Sequence, residues 1–202
     1  MRSCQINTSP EFTDDGTTAA VEKLIADVGR PWTLSVTPGD HRLLLASDGD
    51  QALYLHDSID GRRIAVVSLP PGVDEPRHAV RTLTGTFVVS HGLRGTVHGL
   101  REVSADGRSL RAYGGLRGAG PEQVNYPVYL TVDQDGRIIA ADRMNDRVLV
   151  FDARLELVRV LLTKDDDGVD GPQRLFHRRG TTELFVGMWT GASVNVFSVR
   201  YV

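Results

Sequence analysis

The chain has 202 residues, 41% of them hydrophobic and 24% charged, with a formal net charge of −3. That balance excludes an intrinsically disordered polymer and leaves enough apolar mass to bury a core in one or two domains. One cysteine, Cys4, excludes an intrachain disulfide framework. No stretch approaches the roughly 20 apolar residues that span a bilayer, and the leading MRSCQINTSPEFTDDG lacks the apolar segment of a secretory signal, so the expected compartment is the cytoplasm.

Charge is unevenly spread. Twelve acids face six bases up to Pro76, whereas Arg77 to Arg117 holds seven arginines, two acids (Glu102 and Asp106) and three of the six histidines. Such a basic sector can draw phosphate or an acidic partner, but the favoured reading is arginines spaced along solvated strand positions.

In chain order, residues 1–18 read as a flexible polar segment and 19–202 as the folded body. Val21 to Gly29 carries the first apolar run, a strand by its position and a helix by the helix-forming residues Ala19 to Lys23. From there a layout of about 45 residues repeats, over units near 30–70, 76–114, 126–163 and 172–202. Each unit opens on a proline, Pro31, Pro76, Pro127 and Pro172, at intervals of 45, 51 and 45 residues, and an alternating strand follows. Second strands are expected at 43–46, 86–89, 138–141 and 184–186, with polar or small corners next at Asp48, His91, Asp142 and Gly187. Third strands are expected at 52–56, 97–103, 148–151 and 194–199, and fourth strands at 64–69, 110–113 and 157–162. The clearest copy is Tyr126 to Asp152, YPVYLTVDQDGRIIAADRMNDRVLVFD, where Asp135-Gly136 marks a tight reversal.

Four antiparallel strands per repeat make the blade of an all-β propeller, in which no sheet buries its apolar face alone. The last unit shows three strands, and residues 21–28 are the candidate for the fourth, which would close a ring. With about four blades visible, the chain reads either as a small ring or as the carboxyl-terminal part of a larger one.

From Gly114 to Asp152 a longer pattern runs in order: Gly114-Gly115, Gly118, Gly120-Pro121-Glu122-Gln123, Asn125-Tyr126-Pro127, Val132-Asp133, Asp135-Gly136, Ala141-Asp142, Asn145, Arg147-Val148 and Phe151-Asp152. A glycine-rich lead-in, a proline, a D-G turn and then D-x-x-N-x-R-V-x-V-F-D resembles an NHL repeat. The other units match loosely. Asp48 is one position out of register, with Asp50 and Ala52 where Asn and Arg would stand; His91 and Gly187-Met188-Trp189-Thr190 replace the corner elsewhere. The resemblance implies a propeller, commonly six-bladed and often at the carboxyl end of tripartite-motif ubiquitin ligases, that binds protein or RNA. Similar propellers serve lyases and lactonase-like enzymes. A RING or B-box needs a Cys/His zinc cluster that one cysteine cannot build, so ligase activity would belong to a fuller chain.

Candidate chemistry is sparse. Asp142, accepting turn N–H groups, and Arg147, pairing with a carboxylate, read as a structural corner. The glycine cluster from Gly114 to Gly120 leads through Pro121 and Pro127 into a strand and not a helix, so it reads as a connection between blades and not a phosphate loop. Asp165 to Asp170 lacks the bidentate glutamate of an EF-hand and reads as an exposed acidic loop. His78 and His91 with Asp48 or Asp142 are a conceivable metal pair, but no third ligand is assigned, and neither a metal nor a cofactor is expected.

In a propeller the loops leading into first strands and those joining second to third strands share one face. That face collects Arg30, Trp32, Arg77, His78, His91, Arg94, Tyr126, Arg143, Asn145, Arg174 and Trp189. Arg, Tyr and Trp carry binding energy where they cluster in the open, although Trp32 and Trp189 can equally fill spaces between blades. The expected function is a non-catalytic platform for protein recognition. The alternatives are a single-stranded RNA binder and a metal-dependent hydrolase or lyase; no membrane or DNA partner is expected.

Overall fold

Short alternating runs, each ended by a turn-forming Asp, Thr, Ser or Gly, fold into antiparallel meanders. The computed structural model describes residues 31–37, 42–190 and 193–200. The first sheet contains β1 (Pro31–Val36), β2 (Arg42–Ser47), β3 (Ala52–Asp57) and β4 (Arg63–Ser68). The second contains β5 (Pro76–Arg81), β6 (Phe87–His91), β7 (Val97–Val103) and β8 (Ser109–Leu116). The third contains β9 (Pro127–Val132), β10 (Ile138–Asp142), β11 (Arg147–Phe151) and β12 (Leu157–Thr163), and the fourth β13 (Pro172–His177), β14 (Glu183–Met188) and β15 (Val194–Ser198). Strands pair in chain order within every sheet.

β1 packs beside β5, β5 beside β9 and β9 beside β13, and all four line one axial cavity. The four units therefore share an axis, and the described residues form four blades of a β-propeller, all-β as the repeat implies. β13 and β1 are not packed against each other in the same way. The expected flexible segment 1–18 and closing strand 21–28 lie outside the described residues.

Period-two alternation builds the interior. In β6, Phe87 and Val89 join Leu44, Leu53 and Val67 of the first blade, while Val88 between them joins Leu130, Ile138 and Leu149 of the third. In β10, Ile138 and Ala140 face the second blade, and Ile139 and Ala141 face Leu184 and Val186 of the fourth. A middle blade thus has two dry faces, and full burial of each Leu, Ile or Val contributes about 1.5–3 kcal/mol. Fourth strands are the outer, wet ones: β8 and β12 are largely exposed.

The hairpins are closed by a recurring device. Asp133 Oδ1 accepts from the N–H groups of Asp135 (2.9 Å) and Arg137 (2.8 Å), with Gly136 left-handed at φ +83°. Asp152 does the same for Arg154 and Glu156, and Asp57 for Ile59 and Asp60.

Two expectations are corrected. The fourth strand of the second unit was expected to end at Tyr113 but β8 runs on to Leu116. Gly114, at φ +101°, pairs with Gly99 and lies against the His98 carbonyl where a Cβ would collide, so the glycines permit close backbone approach and do not break the strand. The acidic segment is not a plain loop. Lys164–Asp167 forms one helical turn, with the Thr163 hydroxyl accepting from the Asp166 N–H and Gly168 ending the turn in left-handed geometry. No helix among the described residues is long and apolar enough to cross a membrane.

Candidate functional site

The leads into the first strands of the second, third and fourth blades are bent in the same way. Glu75, Tyr126 and Gly171, directly before Pro76, Pro127 and Pro172, have φ of +53°, +60° and +59°. The residue after each proline, Trp32, Arg77, Val128 and Gln173, is skipped in the ladder to the second strand, a β-bulge at the same place in all four blades. Left-handed geometry costs a non-glycine residue about 1–3 kcal/mol, and the bulge re-aims the next side chain toward the axis.

At this end of the axis Thr33, Arg77, Tyr126, Val128, Arg143, Gln173 and Arg174 line a small hollow. Arg77 is buried; its Nη2 donates to the Tyr126 hydroxyl at 2.8 Å, and its guanidinium lies 5.1 Å from the Tyr126 ring centre. The Tyr126 N–H donates to His98 Nδ1 at 2.9 Å, which anchors the strained backbone. Arg143, on the 3-10 turn Arg143–Asn145 after β10, lies 5.3 Å from the Tyr126 ring centre and 4.2 Å from that of Trp189. Burial pushes the Arg77 pKa below the usual guanidinium value, opposed by Tyr126, Glu75 and Asp48, and the side chain stays charged at every physiological pH.

Arg174, exposed at the mouth, lies 5.2 Å from the Tyr129 ring centre, and Tyr129 in turn stacks on His78 at 3.8 Å. His78 is fully enclosed; burial first, and the Arg174 charge second, lower its pKa to about 3. The imidazole is neutral.

Of the residues expected on this face, Arg77, Tyr126, Arg143, Arg174 and Trp189 converge on the mouth. Arg94 is exposed on the corner of the second blade; its N–H and that of Leu93 donate to Glu75 Oε2 at 2.7 and 2.8 Å. His78 and His91 are not displayed at all. His91 is buried, with burial, Arg101 and His98 lowering its pKa to about 4. Among the described residues no three His, Cys, Asp or Glu side chains group as ion ligands, and His78 Nδ1 is engaged by the Leu130 N–H at 3.2 Å. Arg30 and the side chain of Trp32 lie outside the described residues.

Asn145 belongs to a lock and not to the mouth. The fully buried Asp142 accepts from the Asn125 N–H (2.7 Å), Asn145 Nδ2 (2.8 Å) and Arg147 Nε (2.7 Å). Asn145 Nδ2 also reaches the Gly118 carbonyl at 2.9 Å, and Arg147 reaches those of Ala119 (3.2 Å) and Gln123 (2.8 Å). Together they tie the glycine-rich connection to the corner of the third blade. Burial raises the Asp142 pKa and the three donors oppose it; with Arg147 at 2.7 Å the carboxylate remains the bound form.

Thr33, Val128 and Gln173 were not foreseen at the mouth. Their sequence signal is position: Val128 and Gln173 directly follow a strand-opening proline.

No protein-family model and no curated protein sequence matches the chain. In fold it is similar to solved structures. A nidogen/laminin complex matches with TM-score 0.61 and 20% identity over 86% of this chain and 61% of that one. Hydrazine synthase of Kuenenia stuttgartiensis matches with TM-score 0.61 and 16% identity, over 87% and 49%. A catalytically inactive virginiamycin B lyase from Staphylococcus aureus, with quinupristin, matches with TM-score 0.53 and 13% identity, over 85% and 56%. The chain thus spans 49% to 61% of the length of these three. At such identities the likeness is one of fold, the β-propeller.

Proposed function

We propose that the chain is a non-catalytic binding platform of NHL type that recognises a protein partner at the mouth of the axis, by taking carboxylates of an acidic segment onto Arg143 and Arg174 with Trp189 as the apolar anchor. The observation that carries this reading is the continuous run Arg77, Tyr126, Arg143, Trp189, in which Trp189 is 59% exposed. Among the described residues neither Arg143 nor Arg174 is ion-paired, whereas Arg108 and Arg111 of the basic sector are paired with Asp106 and Glu102. Arginines held over aromatic rings are pre-organised, so little entropy is lost when a carboxylate binds them. A fold neighbour solved as a nidogen/laminin complex is consistent with a propeller serving protein recognition. Recognition of substrates within a longer ubiquitin-ligase-type protein is one setting for such a platform.

Selection from a displayed peptide library tests the reading. Enriched sequences are expected to be rich in Asp and Glu and to lose binding to Arg143→Glu and Trp189→Ala. Enrichment indifferent to both substitutions overturns it. Single-stranded RNA retained on filters with a steep salt dependence, and lost in Arg143→Glu, would replace it with the nucleic-acid reading.

A further inference from the structure

The small hollow at the mouth gathers one sign of charge. Arg77, Arg143 and Arg174 all line it, and no acid does. They come from three different blades, Arg77 from β5, Arg143 from the turn after β10 and Arg174 from β13, so the shared axis, and not a local run of sequence, brings them together. Two acids that act on the Arg77 charge, Glu75 and Asp48, stand outside the lining, and Glu75 Oε2 is taken up by the Leu93 and Arg94 N–H groups. Like charges round one recess repel each other and focus a positive potential into it, a cost that a bound anion removes.

The three guanidinium groups are also held in place. Arg77 is only 4% exposed, and its Nη2 donates to the Tyr126 hydroxyl. Arg143 lies against the Tyr126 and Trp189 rings. Arg174 lies against Tyr129, and its Nη1 donates to the Gln173 carbonyl at 3.0 Å. A donor set fixed before binding loses little entropy when the anion arrives, and with five N–H donors on a guanidinium, Arg143 and Arg174 have donors to spare.

Size and charge select the anion. At about 70 Å³ the hollow is far smaller than the about 300 Å³ or more that encloses an organic molecule. It therefore admits the charged head of a ligand and leaves the rest at the rim, beside the exposed Trp189. A carboxylate brings a single charge and two oxygens. A phosphate monoester brings a charge of about −1.5 to −2 and three acceptor oxygens, which arginines take in forked pairs. Three guanidinium groups with no acid among them match the monoester. The phosphate of a nucleic-acid chain carries one charge and is flanked by sugars on two sides, a poorer fit to so small a recess.

We infer that the hollow holds the phosphate monoester of a phosphorylated side chain on the protein partner, with Arg77, Arg143 and Arg174 round its oxygens and Trp189 against a neighbouring residue; this rests on the reading of the mouth as a protein-recognition site.

Four fluorescein-labelled degenerate peptide pools, identical except for a central phosphoserine, phosphotyrosine, aspartate or serine, test the inference by anisotropy. At least one phosphorylated pool is expected to bind about tenfold or more tighter than the aspartate pool. Acidification from about pH 7.5 to about pH 5.5 crosses the second ionisation of the phosphate near pH 6 and is expected to cut that preference; the aspartate pool, which titrates near pH 4, controls for the fold. Arg174→Gln, at an exposed position, and Arg77→Met are each expected to lower the ratio of phosphorylated to aspartate binding about threefold or more. Each variant is compared at an unchanged far-ultraviolet circular dichroism spectrum; should the buried Arg77→Met fail that check, Arg174→Gln decides. Phosphorylated and aspartate pools that bind equally, and are both lost in Arg143→Glu, overturn the phosphate and leave the protein-recognition reading standing. Absence of binding by every pool overturns both. A phosphate preference untouched by Arg174→Gln and Arg143→Glu overturns the site, and single-stranded RNA that displaces the phosphorylated pool at lower concentration than the pool itself overturns the protein partner.

Discussion

The Arg143 guanidinium lies 4.2 Å from the centre of the Trp189 indole, and the two residues come from different blades, Arg143 from the corner after β10 and Trp189 from the end of β14. The contact crosses the seam between the third and fourth blades on the open side. Its two partners are available to a ligand without any rearrangement of the core.

Trp189→Ala should therefore separate binding from stability. An exposed side chain outside the core changes unfolding free energy by no more than about 0.5 kcal/mol, while loss of a central aromatic anchor costs about 2 kcal/mol or more in binding. Urea melts paired with calorimetric titration of a selected peptide check both numbers. A large loss of stability would make Trp189 a structural filler.

The lock around Asp142 behaves oppositely. Asp142→Asn keeps the shape but leaves the largely buried Arg147 without its counter-charge, and breaking a buried pair from one side costs about 3–5 kcal/mol. The urea midpoint should fall accordingly, and proteolysis should increase within residues 118–125, the connection that Asn145 and Arg147 hold.

Interior and rim of a blade should differ in the same assay. Ile139→Ala empties a site shared by the third and fourth blades and should cost about 2–5 kcal/mol. Val158→Ala on the exposed outer strand β12 should cost no more than about 0.5 kcal/mol. Similar losses at the two positions would deny that blades are held by their mutual faces.

His78 and His91 make folding acid-sensitive. Their folded pKa values, about 3 and about 4, lie below the unfolded value of about 6.5. Between those limits the unfolded chain binds protons that the folded chain refuses. The stabilisation is complete above pH 6.5 and is lost as pH falls toward 4, by about 1.4 kcal/mol per pH unit for each histidine. His91→Asn should remove one histidine's share of the slope between pH 6 and 4.5; an unchanged slope would mean that His91 titrates normally in the folded state.

The blades were legible because three independent signals coincide in each unit: a proline that cannot donate within a ladder, strict alternation, and an Asp, Thr or Ser able to close a turn. The fate of Arg77 and His78 was not legible. A single bulged residue after Pro76 shifts the ladder, so Arg77 goes under Tyr126 and His78 turns toward β9, and nothing local distinguishes a bulge from regular pairing. Asn145 was misplaced for a related reason. A 3-10 turn directs its amide back toward Asp142, whereas a corner residue read from position alone points to solvent. The Gly114-Gly115 pair looked like a strand ending because its use lies across the ladder, opposite Gly99, and not in its neighbours in sequence.

Charge exchange between the mouth and its ligand tests the central claim most directly. For a peptide selected on the wild-type chain, Arg143→Glu should weaken binding at least about tenfold, and replacing one of the peptide's acids by Lys should restore affinity to the Arg143→Glu chain while weakening it for the wild type. Equal affinities across all four combinations would place the ligand elsewhere on the propeller and contradict the account.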